Sequence, residues 1–221
     1  MSLGGYLIRQ SKRMSRKGLY EFLDSSLSDI PEGANVLNIG SGGEVEPVVR
    51  KACGLRKAAV ASLDISAERE PNIVADICEI EFEEEFDAIV MAEVLEHVQR
   101  PHIAVERVLA ALKPGGKLIL TVPFIFPIHD RPHDYFRYTK YGLQYLLGDY
   151  NEVKIQEKNG WGEAIVVSLA RFINTSNGHR YMGVVAAGSA LLFYPFAAIS
   201  SRSFVNDFLT TGYFVVARRR A

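Results

Sequence analysis

Cysteine is scarce in this chain of 221 residues, which holds only Cys53 and Cys78. Two thiols cannot staple a chain of this length into a disulfide framework, and they are typical of a reducing compartment. An excess of either charge is also missing, because 25 Lys and Arg stand against 26 Asp and Glu. The resulting net charge of −1 disfavours a nucleic-acid partner. Apolar residues make up 48% of the chain, which excludes a disordered protein.

The first twenty residues lack the apolar core of a secretory signal. Five basic residues stand there instead, between Arg9 and Lys17. We therefore expect a cytoplasmic protein.

Short apolar runs rich in Val, Ile and Leu alternate with helical stretches along the chain. Runs of this length fit strands buried on both faces of a parallel sheet. Between two of them, apolar residues recur at helical spacing from Val105 to Leu112, with Pro101 suited to the first turn. Strands are expected at Asn35–Ile39, Ala58–Leu63, Ile73–Ala75, Phe86–Met91, Lys117–Val122, Tyr150–Lys158 and Gly212–Ala217.

This alternation predicts one doubly wound α/β domain over residues 1–221. Within it we expect an N-terminal helical cap (1–32), a ligand-binding core (33–158), an apolar helical insertion (159–210) and a last strand (211–217).

A glycine-rich turn, Gly40–Gly43, closes the first predicted strand, and Asp64 closes the second. Ligands of open α/β sheets lie beyond the carboxyl ends of the strands. Glycines let the backbone approach a ligand, and an acid about 20 residues later is placed to bind ribose hydroxyls. A dinucleotide fingerprint would need a third glycine where Val45 stands, which makes NAD the weaker option.

Five motifs in order resemble those of the class I S-adenosylmethionine-dependent methyltransferases. They lie within residues 33–158 and are Val36–Gly43, Leu63-Asp64, Ala75-Asp76, Ala92–His97 and Leu112–Gly116. The resemblance implies a Rossmann-like, mostly parallel seven-stranded sheet with helices on both faces and an antiparallel last strand. It also implies S-adenosyl-L-methionine as the cofactor.

The resemblance also implies roles for single residues. The cofactor's amino-acid end would lie on the turn after strand one, its ribose on the acid after strand two, and its adenine after strand three. Residues after strand four would close the pocket. Asn38 stands where the family has an acid, and Glu44, in place of a third glycine, is expected to supply that charge. The expected cofactor contacts are Asn38, Gly40, Ser41, Gly42, Gly43, Asp64, Ile65, Asp76, Ile77, Ala92, Glu93 and His97.

Structural roles are open for the same residues. Gly40–Gly43 is also compatible with a plain tight turn, and Asp64 and Asp76 with helix N-caps. His97 is also compatible with a structural imidazole.

The segment after the fifth predicted strand holds two His-Asp pairs among aromatic residues, His129-Asp130 and His133-Asp134. Histidine titrates near neutrality, and an adjacent carboxylate orients it and raises its basicity. We expect His129 or His133, with Asp134, to act as a general base and Arg137 to hold an anionic part of the acceptor. No metal site is expected, because Pro132 prevents a regular helix from presenting both histidines on one face. A structural loop is the alternative.

The stretch from His133 to Thr139 is similar to methyltransferases found among glycan-assembly enzymes. The preferred function is O-directed methyl transfer to a small molecule, a sugar or a lipid-linked glycan. The alternatives are an RNA or protein methyltransferase and a non-catalytic cofactor-binding scaffold.

Charge is missing altogether from Tyr181 to Ser201, a run of 21 residues. A single membrane crossing here would separate the last strand from its sheet. Gly183, Gly188 and Pro195 predict a broken helical hairpin instead. The hairpin is expected to cover the domain, to contact a second subunit in a homodimer, or to lie on the inner face of the membrane.

Overall fold

The computed structural model describes residues 2–174, 180–203 and 208–221. Its seven strands are β1 (Asn35–Ile39), β2 (Ala59–Asp64), β3 (Ile73–Val74), β4 (Phe86–Ala92), β5 (Leu112–Pro123), β6 (Glu152–Glu157) and β7 (Gly212–Arg218). Its α-helices are α1 (Leu3–Ser15), α2 (Leu19–Leu27), α3 (Val45–Leu55), α4 (Pro101–Ala111), α5 (Lys140–Leu146), α6 (Trp161–Arg171) and α7 (Arg180–Ser203). Short 3-10 turns include Ala67–Arg69, Ile77–Glu79 and Leu95–His97.

The strands form one sheet in the order β3-β2-β1-β4-β5-β7-β6. The neighbouring pairs from β3 to β5 are parallel. The last strand is antiparallel to β6, since the Asn151 N–H donates to the Arg218 carbonyl and the Lys158 N–H to the Gly212 carbonyl. The predicted fold class is therefore confirmed. The central strands β1 and β4 are almost wholly buried, as expected of parallel strands covered on both faces.

The chain clusters into two compact units. The helical unit comprises Met1–Leu19, Pro123–His129 and Glu157–Tyr213, and the sheet unit comprises Tyr20–Val122, Asp130–Gln156 and Phe214–Ala221. The helical unit contains α1, α6 and α7, and the sheet unit contains β1 to β4 and the turns that follow them.

The prediction of a helical hairpin within Tyr181–Ser201 is wrong, because this run forms the single helix α7. The hairpin is instead made by α6 and α7, which pack against each other. Gly183 serves this packing: a Cβ there would lie 2.9 Å from the Cα of Ile173. Pro195 lies inside the helix without ending it, since its fixed φ is compatible with helical backbone.

Candidate active site

The glycine turn after β1 packs closely against the turn after β4. Gly40 has φ +86°, and its N–H donates to the Leu63 carbonyl at the end of β2 over 2.8 Å. A Cβ at Gly40 would lie 2.4 Å from Cγ2 of Val94. Gly40 is therefore required by the contact between these two turns as well as by its left-handed backbone.

A carboxylate that the sequence analysis missed holds this turn from within. The side chain of Glu46, in the first turn of α3, accepts hydrogen bonds from the Gly42 N–H at 2.7 Å and the Ser41 hydroxyl at 3.0 Å. The Arg50 guanidinium donates to its other oxygen at 2.8 Å. Burial works to raise the pKa of Glu46, but these hydrogen bonds outweigh it and hold the pKa below its usual value. The sequence signal that could have pointed to Glu46 was its i,i+4 spacing from Arg50 at the start of a helix.

Glu44, which was expected to supply charge to the turn, accepts a hydrogen bond from the Tyr20 hydroxyl at 2.9 Å. The carboxylate bound to the glycine turn is thus that of Glu46, two residues further along the chain.

Asn38 lies at the centre of the sheet with 1% of its surface exposed. Neither its amide nitrogen nor its amide oxygen has a hydrogen-bond partner among the described residues. A buried, unsatisfied amide is costly and native structures contain few of them, so this one points to a missing partner.

Asp64 ends β2 with 7% of its surface exposed. One of its carboxylate oxygens accepts the Ser66 N–H at 2.8 Å, and the other lies 3.8 Å from Nε of Arg69. The same guanidinium donates to the Ser41 carbonyl at 3.2 Å, so Arg69 links the glycine turn to Asp64. The ends of β1 and β2 therefore present their polar groups at one place. Ile65, the next residue, is 72% exposed.

Asp76 is a helix N-cap, which is the structural role that the sequence analysis left open for it. Its carboxylate accepts the Cys78 N–H at 2.8 Å and caps the turn Ile77–Glu79. Ile77 itself is 6% exposed. An adenine contact by these two residues stays a prediction.

The end of β4 carries a strained residue, Glu93, with φ +57°. Its N–H donates to the Thr121 carbonyl at 2.9 Å, and its carboxylate accepts the Thr121 hydroxyl at 2.8 Å. Ala92, just before it, is half-buried. Positive φ at a residue other than glycine is uncommon and clusters at functional sites.

His97 is fixed by the loop that follows β5. Its Nδ1 donates to the carbonyl of His133 over 2.7 Å, which leaves Nε2 as the basic nitrogen of the neutral ring. Nε2 lies 3.8 Å from a carboxylate oxygen of Asp130 and 3.7 Å from one of Glu96. Glu96 is completely buried, and its main-chain carbonyl accepts the N–H groups of Tyr135 and Phe136.

In the structure, the aspartates of the two His-Asp pairs contact residues other than the adjacent histidines. Asp130 faces His97, and Asp134 binds both Nη atoms of Arg137 at 2.5 and 2.7 Å. The hydrogen bonds that Arg137 donates to Asp134 raise the pKa of Arg137. The expectation that Asp134 orients a histidine is therefore corrected, because its carboxylate is committed to the guanidinium.

The two histidines proposed as bases lie in different units. His133 belongs to the sheet unit, where its exposed ring places Nδ1 2.9 Å from the Tyr135 hydroxyl. His129 belongs to the helical unit, where its Nδ1 lies 3.3 Å from the Pro127 carbonyl and its ring packs edge-on against Phe126.

Several solved structures that are similar to this chain are methyltransferases, all at low sequence identity. A Haemonchus contortus phosphoethanolamine N-methyltransferase 2, solved with S-adenosyl-L-methionine, aligns at 16% identity and a TM-score of 0.63, over 100% of this chain and 60% of that one. A SAM-dependent methyltransferase from Archaeoglobus fulgidus aligns at 14% identity and a TM-score of 0.60, over 92% and 94%. A Haloferax volcanii putative methyltransferase, in complex with the Trm112 activator, aligns at 15% identity and a TM-score of 0.59, over 100% of this chain and 98% of that one.

The chain thus spans 60% of the length of the Haemonchus enzyme. No curated protein matches the sequence. The family model described as a methyltransferase domain matches residues 8–153, which is more than half of the chain. The chain belongs to this methyltransferase family and has the fold of these solved structures.

Proposed function

We propose that this enzyme transfers the methyl group of S-adenosyl-L-methionine to a hydroxyl of a small molecule, a sugar or a lipid-linked glycan in the cytoplasm. The observation that carries the proposal is the meeting of the glycine turn, Asp64 and the turn after β4 at one edge of the sheet. The acceptor class rests on the likeness of residues 133–139 to methyltransferases of glycan assembly.

The residues at this edge fit the cofactor chemically. The second carboxylate oxygen of Asp64 suits a ribose diol, because a carboxylate accepts two hydrogen bonds at once. The unsatisfied amide of Asn38 suits a polar group of the cofactor's amino-acid end. Asp76 and Ile77 would border the adenine, and Ala92 and Glu93 would close the pocket.

When bound, the cofactor supplies a methyl group already activated by the positive sulfur. What remains for the chain is to align the acceptor, and alignment of this kind is worth about 7–11 kcal/mol in favourable cases. A hydroxyl acceptor also needs a group that removes its proton, which typically contributes about 10²–10⁴-fold.

We propose His97, rather than His129 or His133, as that group. Its Nδ1–H donates to a backbone carbonyl, which orients the ring, and its Nε2 lies within 4 Å of two carboxylates. His133 then contributes its carbonyl, and Arg137 contributes a bidentate ion pair with Asp134 that fixes the loop.

The test compares His97→Asn with His133→Asn, and with His102→Asn on the exposed face of α4 as the matched control. Turnover is measured by release of the demethylated cofactor, with sugars, sugar nucleotides and lipid extracts as acceptors. We expect His97→Asn to lower turnover by about 10²–10⁴-fold while cofactor affinity stays the same. His133→Asn should remain active, since it keeps the carbonyl that positions His97.

Loss of activity in His133→Asn or His129→Asn, with His97→Asn active, would overturn this assignment. Methyl transfer to amines but to no hydroxyl would overturn the acceptor class.

A further inference from the structure

The two units of the chain carry opposite charge. The helical unit contains nine Lys and Arg against three Asp and Glu, a formal charge of +6. The sheet unit contains sixteen against twenty-three, a formal charge of −7. The near-zero total of the chain therefore conceals a strongly basic part.

One of the three acids of the helical unit is neutralised inside it. The Glu163 carboxylate, 7% exposed, accepts hydrogen bonds from Lys17 at 2.7 Å and from the Tyr194 hydroxyl at 3.0 Å. The hydrogen bond to Glu163 raises the pKa of Lys17, so Lys17 stays charged at neutral pH. Among the described residues of this unit, Arg9, Lys12, Arg13 and Lys17 are exposed basic side chains.

Basic side chains form the outer face of α1. Leu7, Ser11 and Met14 are its buried stripe, and α1 packs against α6 and α7. Arg9 and Arg13 lie on the opposite side of the helix and are exposed. Helical spacing puts Lys12 and Arg16 on the same side.

The helix α7 has an apolar outer face. Its inner face consists mainly of small residues, such as Gly183, Ala187, Ala190 and Ala197, which lie against neighbouring elements of the unit. On its outer face, large apolar side chains are between 52% and 81% exposed: Tyr181, Met182, Val185, Leu192, Phe193, Phe196 and Ile199. The helix carries no charge from Tyr181 to Ser201, and only 17% of the most apolar part of this stretch is buried. An exposed apolar face of this length marks an interaction surface.

We propose that the outer face of α7 docks on an anionic lipid bilayer, with the helix lying in the interface and the basic residues of the helical unit drawn to the lipid head groups. Peripheral helices combine these two features, an apolar face and neighbouring positive charge. The proposal goes beyond methyl transfer and does not depend on the acceptor.

Two other arrangements fit the observations less well. A span across the bilayer would strip α7 of its contacts, because Ser201 near its end receives the N–H of Glu163 at the start of α6 at 3.1 Å. A symmetric dimer through the same face would bring two units of +6 together. A bilayer of negative charge satisfies the apolar face and the basic charge at once.

The test is co-sedimentation of the full chain with vesicles of phosphatidylcholine containing phosphatidylglycerol, and with vesicles of phosphatidylcholine alone. Leu192→Glu/Phe196→Glu alters the outer face of α7, and Tyr141→Glu/Tyr145→Glu makes the same change at exposed positions of α5. Arg9→Glu/Arg13→Glu reverses charge on α1, and Lys51→Glu/Arg107→Glu does so at exposed positions of the sheet unit. Unchanged melting temperatures verify that the variants fold.

We expect binding to anionic vesicles that weakens with added salt and falls at least about tenfold in both the α7 and the α1 variants. Both control variants should bind as the native chain does. The proposal is overturned by absence of vesicle binding, by equal binding of the α7 variant, or by binding that ignores lipid charge. A dimer that the α7 substitutions dissociate, without vesicle binding, would assign the face to a second copy instead.

Discussion

Replacement of Gly40 by alanine tests how the glycine turn is built. The new Cβ would meet Cγ2 of Val94 at 2.4 Å, and the backbone would have to keep φ at +86° or change. Gly33, in the turn before β1, provides the matched control, since it has φ +74° and a Cβ there would have nothing within 4 Å. Both alanines meet the same backbone penalty, and one of them meets a clash.

The magnitudes follow from these two contributions. A left-handed conformation costs a residue other than glycine about 1–2 kcal/mol. Overpacking against the half-buried Val94 costs about 1–3 kcal/mol more. We therefore expect Gly33→Ala to lower the free energy of unfolding by about 1 kcal/mol and Gly40→Ala by about 3 kcal/mol. For a chain of this size, the second value corresponds to a fall in melting temperature of roughly 6–12 °C.

Urea unfolding of both variants measures these differences directly. The double variant Gly40→Ala/Val94→Ala removes the clash and leaves the backbone penalty, so it should be more stable than Val94→Ala and Gly40→Ala predict by addition. Equal losses in Gly33→Ala and Gly40→Ala would refute the contact between the two turns. Strict additivity in the double variant would refute it as well.

Two further predictions concern charged groups. Lys117, almost wholly buried, is paired with Asp29, and burial lowers the pKa of Lys117. Asp29→Asn should destabilise the protein by about 1 kcal/mol at pH 7, because the Asp29 side chain is 57% exposed and water screens its charge. That loss should shrink as the pH rises towards 10.5, because the folded state sheds the Lys117 proton first; urea unfolding from pH 7 to 10 checks this, and a constant loss would contradict it. Glu46→Gln should cost about 1–3 kcal/mol at pH 7. Because the pKa of Glu46 is lowered in the fold, this difference should begin to shrink as the pH falls below about 4.5 and be lost as the pH falls through the folded pKa; thermal unfolding that shows an unchanged gap at pH 3 would contradict it.

The sequence was a good guide where one physical signal acts alone. The apolar runs that become β1 and β4 are buried on both faces, so composition by itself marks them as strands. The glycine turn and Asp64 were also placed correctly at the ends of β1 and β2, while their roles toward the cofactor stay predictions.

The sequence did not predict which partner each charged side chain contacts, even where the two residues lie three or four positions apart. The sequence analysis considered Glu44 and overlooked Glu46, whose carboxylate accepts the Gly42 N–H. Adjacency suggested that Asp134 orients His133, whereas the loop turns Asp134 towards Arg137. Gly183, Gly188 and Pro195 were interpreted as a break between two helices, whereas the single helix α7 continues through Pro195.

The most direct test of the proposed site is calorimetric titration of S-adenosyl-L-methionine into the native chain and Asp64→Asn. Asparagine keeps an oxygen for the Ser66 N–H and loses the charge that would bind the ribose diol. Asp149→Asn, in an exposed turn, is the control. We predict saturable binding to the native chain and the control, and affinity about 10–100-fold weaker in Asp64→Asn. Equal affinity in all three proteins, or no binding by the folded native chain, would contradict the account.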